Sequence, residues 1–189
     1  AICQVLLPSF AQHLHNHLAK VKTVIIGNVV PQYQEQADLA ADKQIHKILF
    51  VGRLAENHKR PHLLIKAFAK LSKDFPDWFV ELWGADEGKL YRKYLEELIS
   101  KEHLEHQVFL KGVTKNIAAV LQKGDIFVIP SAYEGFPLAL TEAMSMGLPV
   151  VGYRNAPAVN ELIVDGQNGF LCADGIDDLA DKRRKLMTE

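Results

Sequence analysis

Long apolar runs and any excess of charge are both missing from these 189 residues. The most apolar stretches, around Ile48 to Val51 and Ile126 to Ile129, are far too short to cross a bilayer. A soluble chain is therefore expected. Lys and Arg number 22 against 23 Asp and Glu, a net charge of −1, so no broad basic field exists to gather nucleic acid or to hold an anionic membrane. Cysteine is nearly absent. Only Cys3 and Cys172 occur, far apart and outside any C-x-x-C spacing, which argues against a disulfide framework or a zinc site and fits a reducing cytoplasm. Internal repeats and low-complexity tracts are missing too. The chain opens at Ala1 with no Met and no basic stretch ahead of an apolar one, so a piece of a longer protein without a signal peptide is expected.

What is present is nearly half hydrophobic, enough for one core. Short β-branched runs alternate with longer segments of helical period, the pattern of βαβ units on a parallel sheet. Strands are predicted at Lys47 to Val51, Trp78 to Trp83, Gln107 to Leu110, Asp125 to Ile129, Leu148 to Val151 and Phe170 to Leu171. Helices are predicted between them: one carrying Leu64, Ile65, Phe68 and Leu71, and a charged one carrying Leu90, Leu95 and Leu98. A short one capped by Thr114 follows. Another runs from Leu138 to Met146 and is stopped by Gly147, with further helices from Ala158 and from Asp177 onward. The polar stretch Gln32 to Lys43 separates a strand-like Val21 to Ile26 from this alternation and suggests an interdomain boundary.

Two constellations carry chemistry. In EGFPLALTE, Glu134 and Glu142 are separated by seven residues, where a parallel strand ends and a helix begins. Open parallel sheets bind ligands at that edge. Carboxylates there can accept charge-assisted hydrogen bonds from vicinal hydroxyls, and the amides of Gly135 and Phe136 can add donors. In GRLAENHKRPHLLIKAF, Arg53 follows the first buried strand and Lys59 lies just before a helix, two cations suited to a diphosphate. Either pair alone is more often solvated surface charge; their meeting at one sheet edge gives the functional reading its weight. His58 and His62 flank Lys59 and are expected at the surface. Trp78 and Trp83 are expected to pack between sheet and helix, and the run His13, His15, His17 to sit on a solvated helix.

PSAYEGFPLALTEAMSMGLPVV followed by NELIVDGQNGFL resembles the signature of the family 4 (group 1) retaining glycosyltransferases of GT-B architecture, and FVGRLAENHKRPHLLIKAF and WGADEGKL are similar to further landmarks in the same order. The resemblance spans roughly residues 22 to 180. It implies a Rossmann-like α/β domain, the C-terminal, nucleotide-sugar-binding half of a two-domain hexosyltransferase that retains anomeric configuration. By the resemblance, Arg53 and Lys59 grip the donor diphosphate, Glu142 binds the ribose and Glu134 contacts the donor hexose. Gly52 lies beside them; Gly135, Phe136, Pro137 and Leu138 line the sugar and phosphates through their backbone, and Gly112 and Val113 lie beside the base. Arg53, Lys59 and Glu134 take the catalytic roles.

The resemblance also implies that no metal or cofactor is needed, protein cations replacing a metal, and no D-x-D pattern occurs. It divides the chain into residues 1–31, a remnant helix and strand of an acceptor domain, a linker at 32–45, and the donor domain at 46–189 with a truncated last helix. The partners implied are a nucleotide sugar, with UDP favoured, and a saccharide, lipid-linked or polymer acceptor reached through the missing domain, the whole enzyme being cytoplasmic and peripheral at a membrane. Glu161 matches a family acid that supports loop structure, and VIIGNVVP matches the end of the family's first domain with its Pro and Gly altered. Lys59 is followed by Arg60 where the family often has Gly, which offers either a further phosphate contact or mere loop decoration. Two other readings remain: a sugar-nucleotide epimerase or phosphorylase of the same architecture, and a scaffold that has lost its donor.

Overall fold

The computed structural model describes residues 2–18, 20–40 and 42–188. Its centre is a six-stranded, wholly parallel sheet formed by β3 (His46–Val51), β4 (Trp78–Trp83), β5 (Val108–Gly112), β6 (Ile126–Ile129), β7 (Val150–Tyr153) and β8 (Gly169–Cys172). Helices on both faces shield a parallel sheet, so its strands read as continuous apolar runs; all four residues of β6 and of β7 are buried. Between the strands lie α2 (Pro61–Ala69), α3 (Lys89–Lys101), α4 (Ile117–Leu121), α5 (Leu138–Ser145) and α6 (Val159–Leu162), with α7 (Ile176–Thr188) last.

The spatial order is β5-β4-β3-β6-β7-β8. The chain winds outward from β3 to β5, then returns to the other side of β3 and winds outward again. At β3 and β6 the following loops therefore diverge and leave a crevice at the carboxyl edge. Its floor is tight. Gly52 N–H donates to the Trp83 carbonyl (2.9 Å) and Leu54 N–H to that of Ala85 (2.8 Å), so the loops after β3 and β4 run side by side. Gly84 has φ +148°, and a Cβ there would lie 1.9 Å from the Gly52 oxygen. Only glycine meets both demands.

Helix α5 ends as its sequence predicts, on Gly147 with φ +83°. Three details differ. Asn116, not Thr114, caps α4: its side chain accepts from Ala119 N–H at 3.1 Å, while the Thr114 hydroxyl accepts from Asn116 N–H one turn too early. Strand β7 starts at Val150 rather than Leu148, because Pro149 has no amide proton for the ladder. At the amino end, β1 (Ile2–Val5) and β2 (Lys22–Ile25) pair in parallel across α1 (Pro8–His17), so a strand precedes the expected helix and strand. This two-stranded unit is not hydrogen-bonded to the main sheet. It meets the main body through Glu161, which accepts from the amide and hydroxyl of Ser9 at the start of α1. No helix among the described residues is long and apolar enough to cross a membrane.

Residues 32–45 contain no helix or strand among those described, yet they do not hang free. Ala37 N–H donates to the Met146 carbonyl and Gln122 to the Glu35 carboxylate, while Tyr33 and Ala37 pack on the core.

Arg183 of α7 is fully buried. Its Nε donates to the Leu179 carbonyl within its own helix, but Nη1 and Nη2 have no partner. Burial pushes its pKa down to about 9, so the cost of holding the cation is fully present below that pH and is relieved only as the pH rises toward its ordinary value. Arg183→Met keeps the length and removes the charge. In urea unfolding at pH 7 it is expected to stabilise the chain by on the order of 1–3 kcal/mol, the desolvation cost of unmet polar groups; a loss would show that the guanidinium supports the fold.

Candidate functional site

Three consecutive residues before α2 grip the loop that leaves β6. Lys59 Nζ donates to both carboxylate oxygens of Glu134, at 2.6 and 2.8 Å. His58 stacks on Tyr133 with ring centroids 4.4 Å apart, donates from Nε2 to the Tyr133 carbonyl at 2.8 Å, and through its own carbonyl accepts from Ala132 N–H. Arg60 donates from Nε to the Pro130 carbonyl and from Nη2 to that of Ser131. Glu134 is buried, 7% exposed, so its pairing with Lys59 compensates a charge that would otherwise be costly to bury. Two of the three ammonium protons point at Glu134; one is left for another acceptor.

Beside this pair lies a cavity of about 300 Å³ at the carboxyl edge, lined by Gly52, Arg53, Trp83, Val113, Thr114 and Glu142 among others. The Arg53 guanidinium is largely exposed, its nearest carboxylate being Glu87 at 3.8 Å. Glu142 sits in the second turn of α5. Burial raises its pKa, and its carboxylate has no hydrogen-bond or ion-pair partner among the described residues. An unpaired, half-buried carboxylate sharing a cavity with an exposed, loosely paired guanidinium suits a ligand carrying both hydroxyls and negative charge. A roomier cavity of about 450 Å³ lies at the opposite edge, between Met144, Leu148 and Phe170, but no charged side chain lines it. Of these two, only the smaller is lined by charged side chains.

The expected residues are thus gathered at one edge, with distinctions that spacing does not show. Gly52, Arg53, Val113 and Glu142 line the cavity, whereas Lys59 and Glu134 stand beside it, locked to each other. Gly112 (φ +71°) closes β5 and accepts from Gly84 N–H, outside the lining. In the turn before α5, Leu138 N–H is turned back onto the Phe136 carbonyl and Pro137 has no N–H. The amides of Gly135 and Phe136 are therefore the donors this turn can offer. The Phe136 ring packs beside Gly27, toward the amino-terminal unit.

Trp83 is a wall of the cavity rather than a sheet-to-helix packing residue; Trp78, by contrast, is buried and stacked on His46. The signal was its place as the last residue of β4, at the carboxyl edge of the sheet. Its indole N–H donates to Glu81 at 2.9 Å, and the Lys111 ammonium lies over its ring. His62 does not join the edge. It turns away to Tyr91, 2.8 Å from the hydroxyl, half-buried instead of at the surface. His13 and His17 lie ring to ring at 4.5 Å, and His15 is hydrogen-bonded to Thr23. Among the described residues no group of three or more side chains is arranged to hold a metal ion.

Two measurements test this geometry. Lys59→Met leaves Glu134 charged and buried with only His58 nearby, at 3.9 Å, which should cost about 1–3 kcal/mol in urea unfolding, and Lys59→Met with Glu134→Gln should cost less than the sum of the two single changes. Additive losses would mean the pair is not closed in solution. Burial first, then Lys66 and Arg60, lowers the His62 pKa from 6.5 to about 4, so the native state resists a proton that the unfolded chain takes. Stability is expected to fall as pH drops from about 6.5 toward 4, and His62→Gln to flatten that part of a Tm-against-pH curve.

Comparison with known proteins agrees with this architecture. The family model for glycosyl transferases group 1 matches residues 32–189. A D-inositol 3-phosphate glycosyltransferase of Corynebacterium urealyticum is 36% identical over 198 aligned positions, covering 92% of this chain and 46% of that protein. A poly(glycerol-phosphate) alpha-glucosyltransferase of Bacillus subtilis is 33% identical, covering 72% of this chain and 20% of its own length. Among solved structures, a variant of S. aureus TarM in complex with fondaparinux, alpha-GlcNAc-glycerol and UDP superposes with a TM-score of 0.87 at 26% identity, covering 98% of this chain and 36% of that one. The pneumococcal O-GlcNAc transferase GtfA, in complex with UDP and GlcNAc, gives 0.77 at 25%, covering 98% and 37%. The chain spans between a fifth and a half of the length of these relatives. The sheet order, the cavity at its reversal point and a family model that matches most of the chain lead to one assignment: this chain belongs to the group 1 glycosyltransferases, with a fold matching GT-B enzymes.

Proposed function

We propose that this chain is the nucleotide-sugar-binding part of a retaining hexosyltransferase, with UDP as the nucleotide of its donor and a saccharide, lipid-linked or polymer acceptor held by the remainder of a longer protein. The observation that carries this reading is the unpaired Glu142 carboxylate sharing one cavity with the exposed Arg53 guanidinium, next to the Lys59–Glu134 pair. Glu142 accepts from the vicinal ribose hydroxyls. Arg53, with the third proton of Lys59, meets the diphosphate, and the free amides of Gly135 and Phe136 add donors for a phosphate or sugar oxygen. The UDP bound in TarM and GtfA supports uridine.

In this reading the chemistry is leaving-group stabilisation. As the C1–O bond to the diphosphate breaks, the sugar gains oxocarbenium character and the electron pair stays on phosphate oxygen, where Arg53 and Lys59 oppose the growing charge without a metal. Glu134, with Lys59 on both its oxygens, is a poor nucleophile. That favours attack by the acceptor hydroxyl on the face from which the diphosphate departs, its proton passing to the departing phosphate, and Glu134 is left to hold a hexose hydroxyl.

Isothermal titration of the chain with UDP, GDP and ADP, in EDTA throughout, tests the reading. Saturable binding of UDP is expected, weakened about 10- to 100-fold in Arg53→Ala, the worth of one charge-assisted hydrogen bond. Equal affinity in the parent and in Arg53→Ala would sink the assignment of that residue, and absence of any nucleotide binding by the folded chain would sink the proposal.

A further inference from the structure

Arg60 adopts φ 50° and ψ 42°, a left-handed conformation that a side chain makes unfavourable, and it does so directly before Pro61. Glycine would carry no such strain. Strain of this kind persists only where surrounding contacts over-determine it, so the contacts indicate its use. The guanidinium lies 5.0 Å over the Tyr153 ring, and the Tyr153 hydroxyl in turn donates to the Gly175 carbonyl at 2.7 Å. Each of its three nitrogens has its own acceptor: Nε the Pro130 carbonyl at 2.9 Å, Nη2 the Ser131 carbonyl at 3.2 Å, and Nη1 the Asp174 carboxylate at 3.4 Å. One side chain thus joins the start of α2, the loop between β6 and Glu134, and the loop between β8 and α7.

We propose that Arg60 is a positioning residue for Glu134, a fork that latches the loop leaving β6 to the loop leading into α7, and that its charge is not spent on the donor phosphates. The loop needs such an anchor. Ser131 is buried and its hydroxyl has no partner, so its own side chain does nothing to hold the turn. Its carbonyl and that of Pro130 are fixed from outside, by Arg60. Four residues downstream of Pro130 stands Glu134, whose amide donates to the Pro157 carbonyl and whose carboxylate is met by Lys59; Arg60 holds the start of the loop that presents it to them. The side chain of Arg60 is 17% exposed and its fork is turned under the loop, away from solvent. The flat, three-sided grip is specific to guanidinium; a lysine can place the charge but cannot reach all three acceptors.

The role in donor binding rests on the function proposed above, so the test has one arm that needs no ligand. Hydrogen exchange of the chain alone is compared for the parent, Arg60→Gly, which also relieves the left-handed strain, and Arg60→Lys, which keeps the charge. Both variants are expected to speed exchange in peptides covering residues 130–136 while β3 and β6 stay protected. In titration with UDP-glucose, UDP-N-acetylglucosamine and UDP, both variants lose affinity for the nucleotide sugar that contributes a hexose to Glu134 more than for UDP; if the loop holds its competent arrangement a tenth of the time, the loss is about tenfold. Unchanged exchange in both variants overturns the latch. So does a normal Arg60→Lys beside a weakened Arg60→Gly, since charge alone would then suffice, and so does equal loss for UDP and UDP-sugar. A parent chain that binds neither nucleotide refutes the proposed function instead, and the exchange comparison still decides for or against the latch.

Discussion

Strands β3 and β6 are neighbours in space and far apart in sequence, and the candidate site depends on binding together the two loops that leave them. The sheet brings the loops to the same edge but also sends them apart, since the order of strands reverses there. What holds them is polar and local. His58, Lys59 and Arg60 each commit a side chain to the stretch from Pro130 to Glu134, through a stacked ring, an ion pair and a forked cation. Hydrophobic burial supplies the stability of the sheet but is non-directional, whereas hydrogen bonds to carbonyl oxygens fix a loop's position.

The same arrangement sorts the charges. A cation and an anion that satisfy each other can be buried, while those intended for a ligand must be left wanting. Lys59 with Glu134 is the satisfied pair; Glu142, without a partner, and the exposed Arg53, with Glu87 no nearer than 3.8 Å, are the ones left open. The raised pKa of Glu142 has burial as its cause, which is the electrostatic mark of a carboxylate without a counter-ion. The linker reaches this point too. Burial, then the charge of Glu142, raises the pKa of the Tyr33 phenol, so the segment around residue 33 lies within electrostatic reach of the site.

Most of the sheet was legible because buried parallel strands are written as short β-branched runs, and Lys47 to Val51 or Asp125 to Ile129 admit few other readings. The gathering of Arg53, Lys59, Glu134 and Glu142 at the carboxyl edge followed from their positions after those runs. What spacing could not convey was direction. It does not say that Lys59 faces Glu134, that Leu138 N–H folds back on Phe136, or that His62 turns to Tyr91 while His58 turns to Tyr133. Each outcome is decided by partners dozens of residues away. The strand Ile2–Val5 escaped notice because its residues are at most half-buried and alternate weakly, so a pairing with β2 rather than a periodic pattern defines it. Trp83 was legible in position but not in use, a residue whose size reads equally as core or as cavity wall.

The contact between Gly52 and Gly84 limits what variation can do to this molecule. Backbone meets backbone there, and any side chain at residue 84 would collide with the carbonyl of residue 52. The base of the cavity is therefore closed to a side chain at residue 84, while the rim, where Val113 is exposed and Thr114 and Ile117 follow it, carries side chains whose exchange would reshape it. A chain evolving toward a different ligand would keep its foundation unchanged and exchange the residues that a newcomer meets first.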